Sequence, residues 1–175
     1  MKATRVDTRK VLDELARLAE IAAGVIDGED VKGVITPRAM YYILNPDPKH
    51  QFLVGDYFDV DHDLFLRVKK LMIRIARLSD LVISSSMWQV IGDGKRTTVV
   101  LHNGAMQQWY HFGDNVMDIP PELAEVARTG QVKALPVTDG DRQATALAPI
   151  RDSLGDVVAV CEFSAPLAGQ SPAWS

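Results

Sequence analysis

Residues 81–112 read LVISSSMWQVIGDGKRTTVVLHNGAMQQWYHF, and their period decides the fold. Leu81 to Ile91 is rich in β-formers and ends at Asp93-Gly94. Arg96 to His102 follows and ends at Asn103-Gly104, and Ala105 to Phe112 comes next. Asp-Gly and Asn-Gly supply the positive φ angles of tight hairpin turns, so three runs joined this way read as an antiparallel meander. Two-residue turns also fix the register, and the register fixes the faces. Val90 is then expected opposite Thr97, Trp88 opposite Val99 and Ser86 opposite Leu101. One face carries these residues together with Met106, Gln108 and Tyr110. The other carries Met87, Gln89, Ile91, Thr98, Val100, His102, Gln107, Trp109 and His111. The first face is the more apolar and is expected to be the inner one.

Upstream of the meander the period is helical. Asp7 and Thr8 are N-cap candidates, Val11, Leu15, Leu18, Ala22 and Val25 form one apolar stripe, and Gly28 can stop the helix. Thr36-Pro37 opens a second, short helix, which should end before Asn45-Pro46. From Asp61 to Ser79 a third stripe runs through Leu64, Val68, Leu71, Ile75 and Leu78, with Arg67, Lys70, Arg74 and Arg77 along another face. Downstream, Pro120-Pro121-Glu122 opens a helix that stops at Gly130. Val132 to Thr138, Arg142 to Ile150 and Val157 to Ser164 read as three more strands. In the last hairpin one face gathers Arg142, Ala144, Ala146, Ala148 and Ile150 with Val157, Ala159, Cys161 and Phe163. That face is apolar but short of bulk. Interiors pack to crystal density, so either a helix presses close to it or it lines a cavity.

The whole is expected to be α+β. Residues 1–80 form an N-terminal helical region packed on an antiparallel sheet of five to six strands, residues 81–164 the sheet with one helix between strands, and 165–175 a flexible tail. The helices are expected on one face of the sheet.

The closing segment Ala148-Pro149-Ile150-Arg151-Asp152-Ser153-Leu154-Gly155-Asp156-Val157-Val158-Ala159-Val160 resembles the last hairpin of PAS, Cache and GAF sensor domains of the profilin-like kind. There a Pro-Ile strand end, a short Asp/Gly turn and a Val-rich strand recur. The order of helices, sheet and mid-sheet helix is similar as well, over Leu81 to Ser164. The resemblance implies the fold and a ligand-sensing role, and no particular ligand. Three departures stand beside it: no membrane-spanning segment of the Cache kind, a third strand before the helix where PAS has two, and no C-terminal helix as in many GAF domains.

Composition excludes several classes. The chain has 175 residues, 47% hydrophobic and 24% charged, which is a globular balance. Its net charge of −4 argues against a general nucleic-acid binder. A single cysteine, Cys161, excludes an internal disulfide and a multi-cysteine zinc site. The N-terminus lacks the apolar core of a signal peptide, so the expected setting is cytoplasmic, with neither membrane nor nucleic acid as partner.

Catalytic and metal motifs fall short. Asp59-x-Asp61-x-Asp63 matches the start of a calcium loop, but Leu64 replaces the required glycine and Lys70 the glutamate, so helix capping explains the acids. His50, His62, His102 and His111 lack ligand spacing. Ser84-Ser85-Ser86 has no nucleophile elbow, and Gly92-Asp93-Gly94-Lys95 lacks phosphate-loop spacing. No enzyme and no cofactor is expected. What remains is Trp88, Gln108, Tyr110 and Arg142, polar handles on otherwise apolar faces, together with the small residues Ala146 and Cys161. They either bind a small molecule, with Arg142 shaped for a carboxylate, or fill a core. The expected function is a cytoplasmic small-molecule-binding sensor or regulatory domain in signal transduction. The alternative is an interaction or dimerisation module of the same fold with a solid core. A homodimer through the N-terminal helix is expected, because the helix from Asp61 should cover the sheet and leave the first stripe bare.

Overall fold

Asp7 accepts a hydrogen bond from the Arg9 amide at 3.1 Å, and the chain enters α1, Thr8–Val25, at that cap. In the computed structural model, which describes residues 7–45, 49, 59–92, 94–101, 116–138, 140 and 142–167, four helices precede the sheet. They are α1, α2 (Gly28–Val34), α3 (Pro37–Leu44) and α4 (His62–Ala76). Thr36 caps α3 through its hydroxyl, and Asp61 caps α4 by accepting from the amides of Asp63 and Leu64 at 3.1 and 3.0 Å. The acids around residue 60 thus begin a helix. Asp59 is fully buried and bonds to the Arg38 guanidinium.

Gly28 does not stop α1. The helix ends at Val25, Asp27 caps α2, and Gly28 is the first residue of α2. A Cβ on Gly28 would lie 2.4 Å from the Arg151 carbonyl oxygen. The position needs glycine for close approach to the last hairpin, not for a left-handed turn.

Among the described residues six strands form one antiparallel sheet, in the order β3-β2-β1-β6-β5-β4. The strands are β1 (Ser84–Ile91), β2 (Lys95–Leu101), β3 (Met117–Asp118), β4 (Lys133–Ala134), β5 (Gln143–Arg151) and β6 (Val157–Pro166). Helix α5, Pro121–Thr129, lies between β3 and β4 and ends on Gly130 in the left-handed region, at φ 63°. Strand β6 runs two residues beyond Ser164, into the expected tail. The expected strand Ala105 to Phe112 and the turn Asn103-Gly104 lie outside the described residues. So do the other expected tail residues from 168 onward.

The helices do not share one face. Helices α1, α2 and α4 pack on one side, and α5 packs on the other, where Leu123 and Val126 meet Leu147 and Val160. Nor does α4 displace α1. Val11, Leu15, Leu18, Ala19 and Ala22 of α1 are buried over β5 and β6, in one core with Ala146, Ala148, Cys161 and Phe163. The α1 stripe therefore has its partner within the chain, which removes the premise for pairing two copies through it. Helix α4 is buried through Phe65, Val68, Met72, Ile75 and Ala76, while Leu78 is left exposed. Its basic stripe faces solvent, with Arg67 paired to Asp30 at 2.8 Å.

Candidate functional site

The turn between β1 and β2 creates the site. It holds three residues, Gly92 to Gly94, with Ile91 opposite Lys95 and Gly94 at φ 66°. Val90 then pairs with Arg96, where a two-residue turn would have placed Thr97. A slip of one residue moves a side chain to the other face of a sheet. Here it brings Arg96 onto the face that carries Trp88. A bulge between Met87 and Trp88 absorbs the extra residue, so that Ser86 still meets Leu101.

The structure also corrects the expected facing of β1. Ser85, Met87, Gln89 and Ile91 are the buried residues, and Met87 belongs to the core under the N-terminal helices. Trp88 and Val90 belong to the α5 side. Ser86, Trp88 and Val90 were expected on the inner face because it looked the more apolar. Both faces are covered, so apolarity did not discriminate between them.

On the α5 side three side chains meet. The Arg96 guanidinium lies over the Trp88 ring, 3.8 Å from its centroid. The Trp88 Nε1–H donates to Glu162 Oε2 at 2.9 Å. Glu162 reaches it diagonally, since Trp88 pairs with Val160 and Ser86 with Glu162. Arg96 also places an Nη2–H 3.6 Å from the Met117 sulfur. Burial pushes the Arg96 pKa down, and the nearby Glu162 charge opposes that shift. The Arg96 Nε is buried and has no acceptor among the described residues. Buried guanidinium donors are ordinarily satisfied, and an orphan of this kind calls for an explanation. Ser86 lies across from Glu162 on one side, and Thr145 lies across from Ser164 nearby on the other strand pair. Hydroxyls and one carboxylate thus share this stretch of the sheet with the indole. Leu147, Val160, Leu123 and Val126 form the apolar end under α5.

The sequence-expected residues do not converge. Trp88 is in this cluster. Ala146 and Cys161 are on the opposite face, fully buried under α1. Burial pushes the Cys161 thiol far above its ordinary pKa, so it stays protonated and behaves as a small apolar group. Arg142 is exposed just before β5. It precedes Pro149, the residue across β6 from Trp88, by seven positions, roughly 23 Å at ~3.3 Å per residue. Arg142 and Trp88 are too far apart to hold one small molecule. Gln108 and Tyr110 lie outside the described residues. Sequence reading missed Arg96 and Glu162. The only signal for Arg96 was the third glycine-loop residue, Gly92, and for Glu162 it was a lone acid at an alternating position in an apolar strand.

Elsewhere, Ser85 Oγ and Gln89 Oε1 are buried on the helix side without partners among the described residues. A cleft of about 320 Å³ opens at the start of α1, between Asp7, Lys10 and Glu14 and the segment Ser79–Leu81. Among the described residues no three His, Cys, Asp or Glu side chains gather as a metal site, and no helix is long and apolar enough to cross a membrane.

The chain is similar in architecture to several solved sensory domains. A GAF domain of A. aeolicus nlh2 aligns over 88% of this chain and 83% of its own, with 15% identity and a TM-score of 0.40. A fungal LOV-domain photoreceptor aligns over 57% of this chain and 91% of its own, with 15% identity and a TM-score of 0.35. The sensory domain of the Campylobacter jejuni chemoreceptor Tlp3, solved with isoleucine bound, aligns over 90% of this chain, with 11% identity and a TM-score of 0.36. This chain spans 60% of that domain's length. No family model matches the sequence, and no curated protein matches it. The fold itself, helices on an open antiparallel sheet with a helix between strands, is α+β.

Proposed function

We propose that this chain is a ligand-binding sensory or regulatory domain whose small-molecule site is on the α5 face of the sheet. The ligand carries a carboxylate, held by Arg96 against the Trp88 ring. One observation carries this reading: Arg96 Nε is buried, charged and without an acceptor among the described residues. A planar guanidinium stacked on an aromatic ring is well shaped for a carboxylate, which would accept from Nε and a neighbouring Nη together. The expected carboxylate ligand is thus kept, while its anchor moves from Arg142 to Arg96. The apolar end at Leu147 and Val160 would take the body of the molecule, in the usual pattern of an apolar site with few polar groups.

Calorimetry with a panel of small carboxylates tests the reading. Wild type should bind at least one member, and Arg96→Gln should weaken it by roughly 10- to 150-fold, the worth of a hydrogen bond to a charged group at ~1.5–3 kcal/mol. Arg142→Gln should leave affinity unchanged. Equal binding by wild type and Arg96→Gln would remove Arg96 from the site. The interaction-module alternative draws on other residues, namely exposed Tyr41, Leu44, Leu78 and Val82. It gains support if no carboxylate binds and the chain associates with itself.

A further inference from the structure

We infer that the molecule held at this site is a zwitterion, with a cationic amine a short distance from its carboxylate. The inference rests on the carboxylate reading and adds the role of Glu162. Arg96 and Glu162 share one indole. The guanidinium lies over the ring face, and the carboxylate takes the ring-edge N–H. Yet these opposite charges do not close into an ion pair on each other. Arg96 keeps an orphaned Nε, and Glu162 commits its Oε2 to Trp88. The buried, unpartnered Arg96 Nε calls for a counter-charge, and the half-buried Glu162 carboxylate beside the same indole favours a cation at its own end. A simple anion would satisfy Arg96 but meet the Glu162 carboxylate as a like charge. A simple cation would do the reverse. A ligand with both charges satisfies both groups and adds no net charge to a half-buried site. The hydroxyls of Ser86 and Thr145 flank Glu162 and its strand neighbours on this stretch of the sheet, and they can accept remaining ammonium hydrogens.

The test is calorimetry with matched probes: butyrate, 2-aminobutyrate, 4-aminobutyrate and butylamine, then the same set built on phenylacetate. In wild type the amino acid of at least one set should bind about 10-fold or more tighter than its plain carboxylate, the worth of a charge-assisted hydrogen bond. Glu162→Gln keeps an acceptor for Trp88 Nε1 and should remove that advantage, with the plain carboxylate bound as well as or better than before. Arg96→Gln should weaken both. Unchanged thermal unfolding midpoints in the two variants show that the fold is intact. If plain carboxylates bind as tightly as their amino analogues in wild type, the zwitterion is wrong and the carboxylate reading stands. If neither class binds in either set, both fall. If Glu162→Gln retains the amino-acid advantage, Glu162 is not the amine's partner and the inference is overturned.

Discussion

Two glycines show how single residues hold the last hairpin in place. The guanidinium of Arg151 donates to the carbonyl of Gly155 at 2.6 Å and to that of Gly130 at 3.0 Å, tying the end of α5 to the β5–β6 turn. Gly130 is left-handed, and a Cβ there would lie 1.7 Å from the Arg151 Nη2. Gly130→Ala should cost about 1–2 kcal/mol for the backbone alone, since L-residues are strained in that region. Gly28→Ala meets backbone rather than a movable side chain, and overpacking of this kind costs roughly 1–3 kcal/mol. Ala146 is fully buried under α1, so Ala146→Leu should lower stability by a similar ~1–3 kcal/mol. Chemical denaturation of the three variants measures all of these. An Ala146→Leu protein as stable as wild type would reveal spare volume beneath α1 and reopen that face as a pocket.

At the scale of elements, α2 is latched to the β5–β6 turn by charge. Lys32 Nζ is 3.1 Å from Asp152 and 3.2 Å from Glu29, and Glu29 accepts from both the amide and the hydroxyl of Ser153. The Lys32 ammonium holds the Asp152 carboxyl below its usual range, and the Ser153 hydroxyl and Lys32 do the same for Glu29. Both carboxylates have folded pKa values below their unfolded ones, near 3.8 for Asp152 and 4.5 for Glu29. Their contribution is thus fully present above those values and is lost as the pH falls through the lower folded ones. Urea midpoints measured between pH 6 and pH 2.5 should fall less steeply in Asp152→Asn than in wild type. Parallel curves would mean that the latch adds nothing measurable, as is common for exposed pairs.

Elements were the level at which the sequence was most legible. Caps at Asp7, Thr36 and Asp61, the stop at Gly130 and the odd–even pairing of the last hairpin are local chemistry, and each has its expected place. The β1–β2 register was not legible. Gly92 and Asp93-Gly94 permit a two- or three-residue turn, and the choice between them shifts the pairing of β2 from Lys95 as far as the bulge. That one ambiguity hid the meeting of Arg96 with Trp88. The fit of α1 rather than α4 over β5 and β6 was also beyond local reading. It depends on the small residues Ala146, Ala148 and Ala159 lying opposite a helix with Ala19 and Ala22 on its buried face.

For the whole molecule, the sheet is a plate covered on both sides, and the two sides differ in make-up. The α1 side is a closely packed core of large and small apolar residues, Phe163 and Leu15 against Ala146 and Ala148. A chain beginning at Gly28 would bare that core, so it should be unfolded or aggregated by circular dichroism and light scattering. A folded, soluble truncated chain would show that α1 is an appendage. The α5 side carries Arg96, whose buried Nε has no acceptor among the described residues, and the proposed site is on that side alone. Nitrogen-15 NMR tests it most directly. During titration with the tightest-binding member of the carboxylate panel, the Nε–H signal of Arg96 and the indole Nε1–H signal of Trp88 should shift together and saturate at one affinity. The backbone amides of Ala146 and Cys161 should move little. Shifts centred on Ala146 and Cys161, with Arg96 and Trp88 unmoved, would contradict the account and place the site beneath α1.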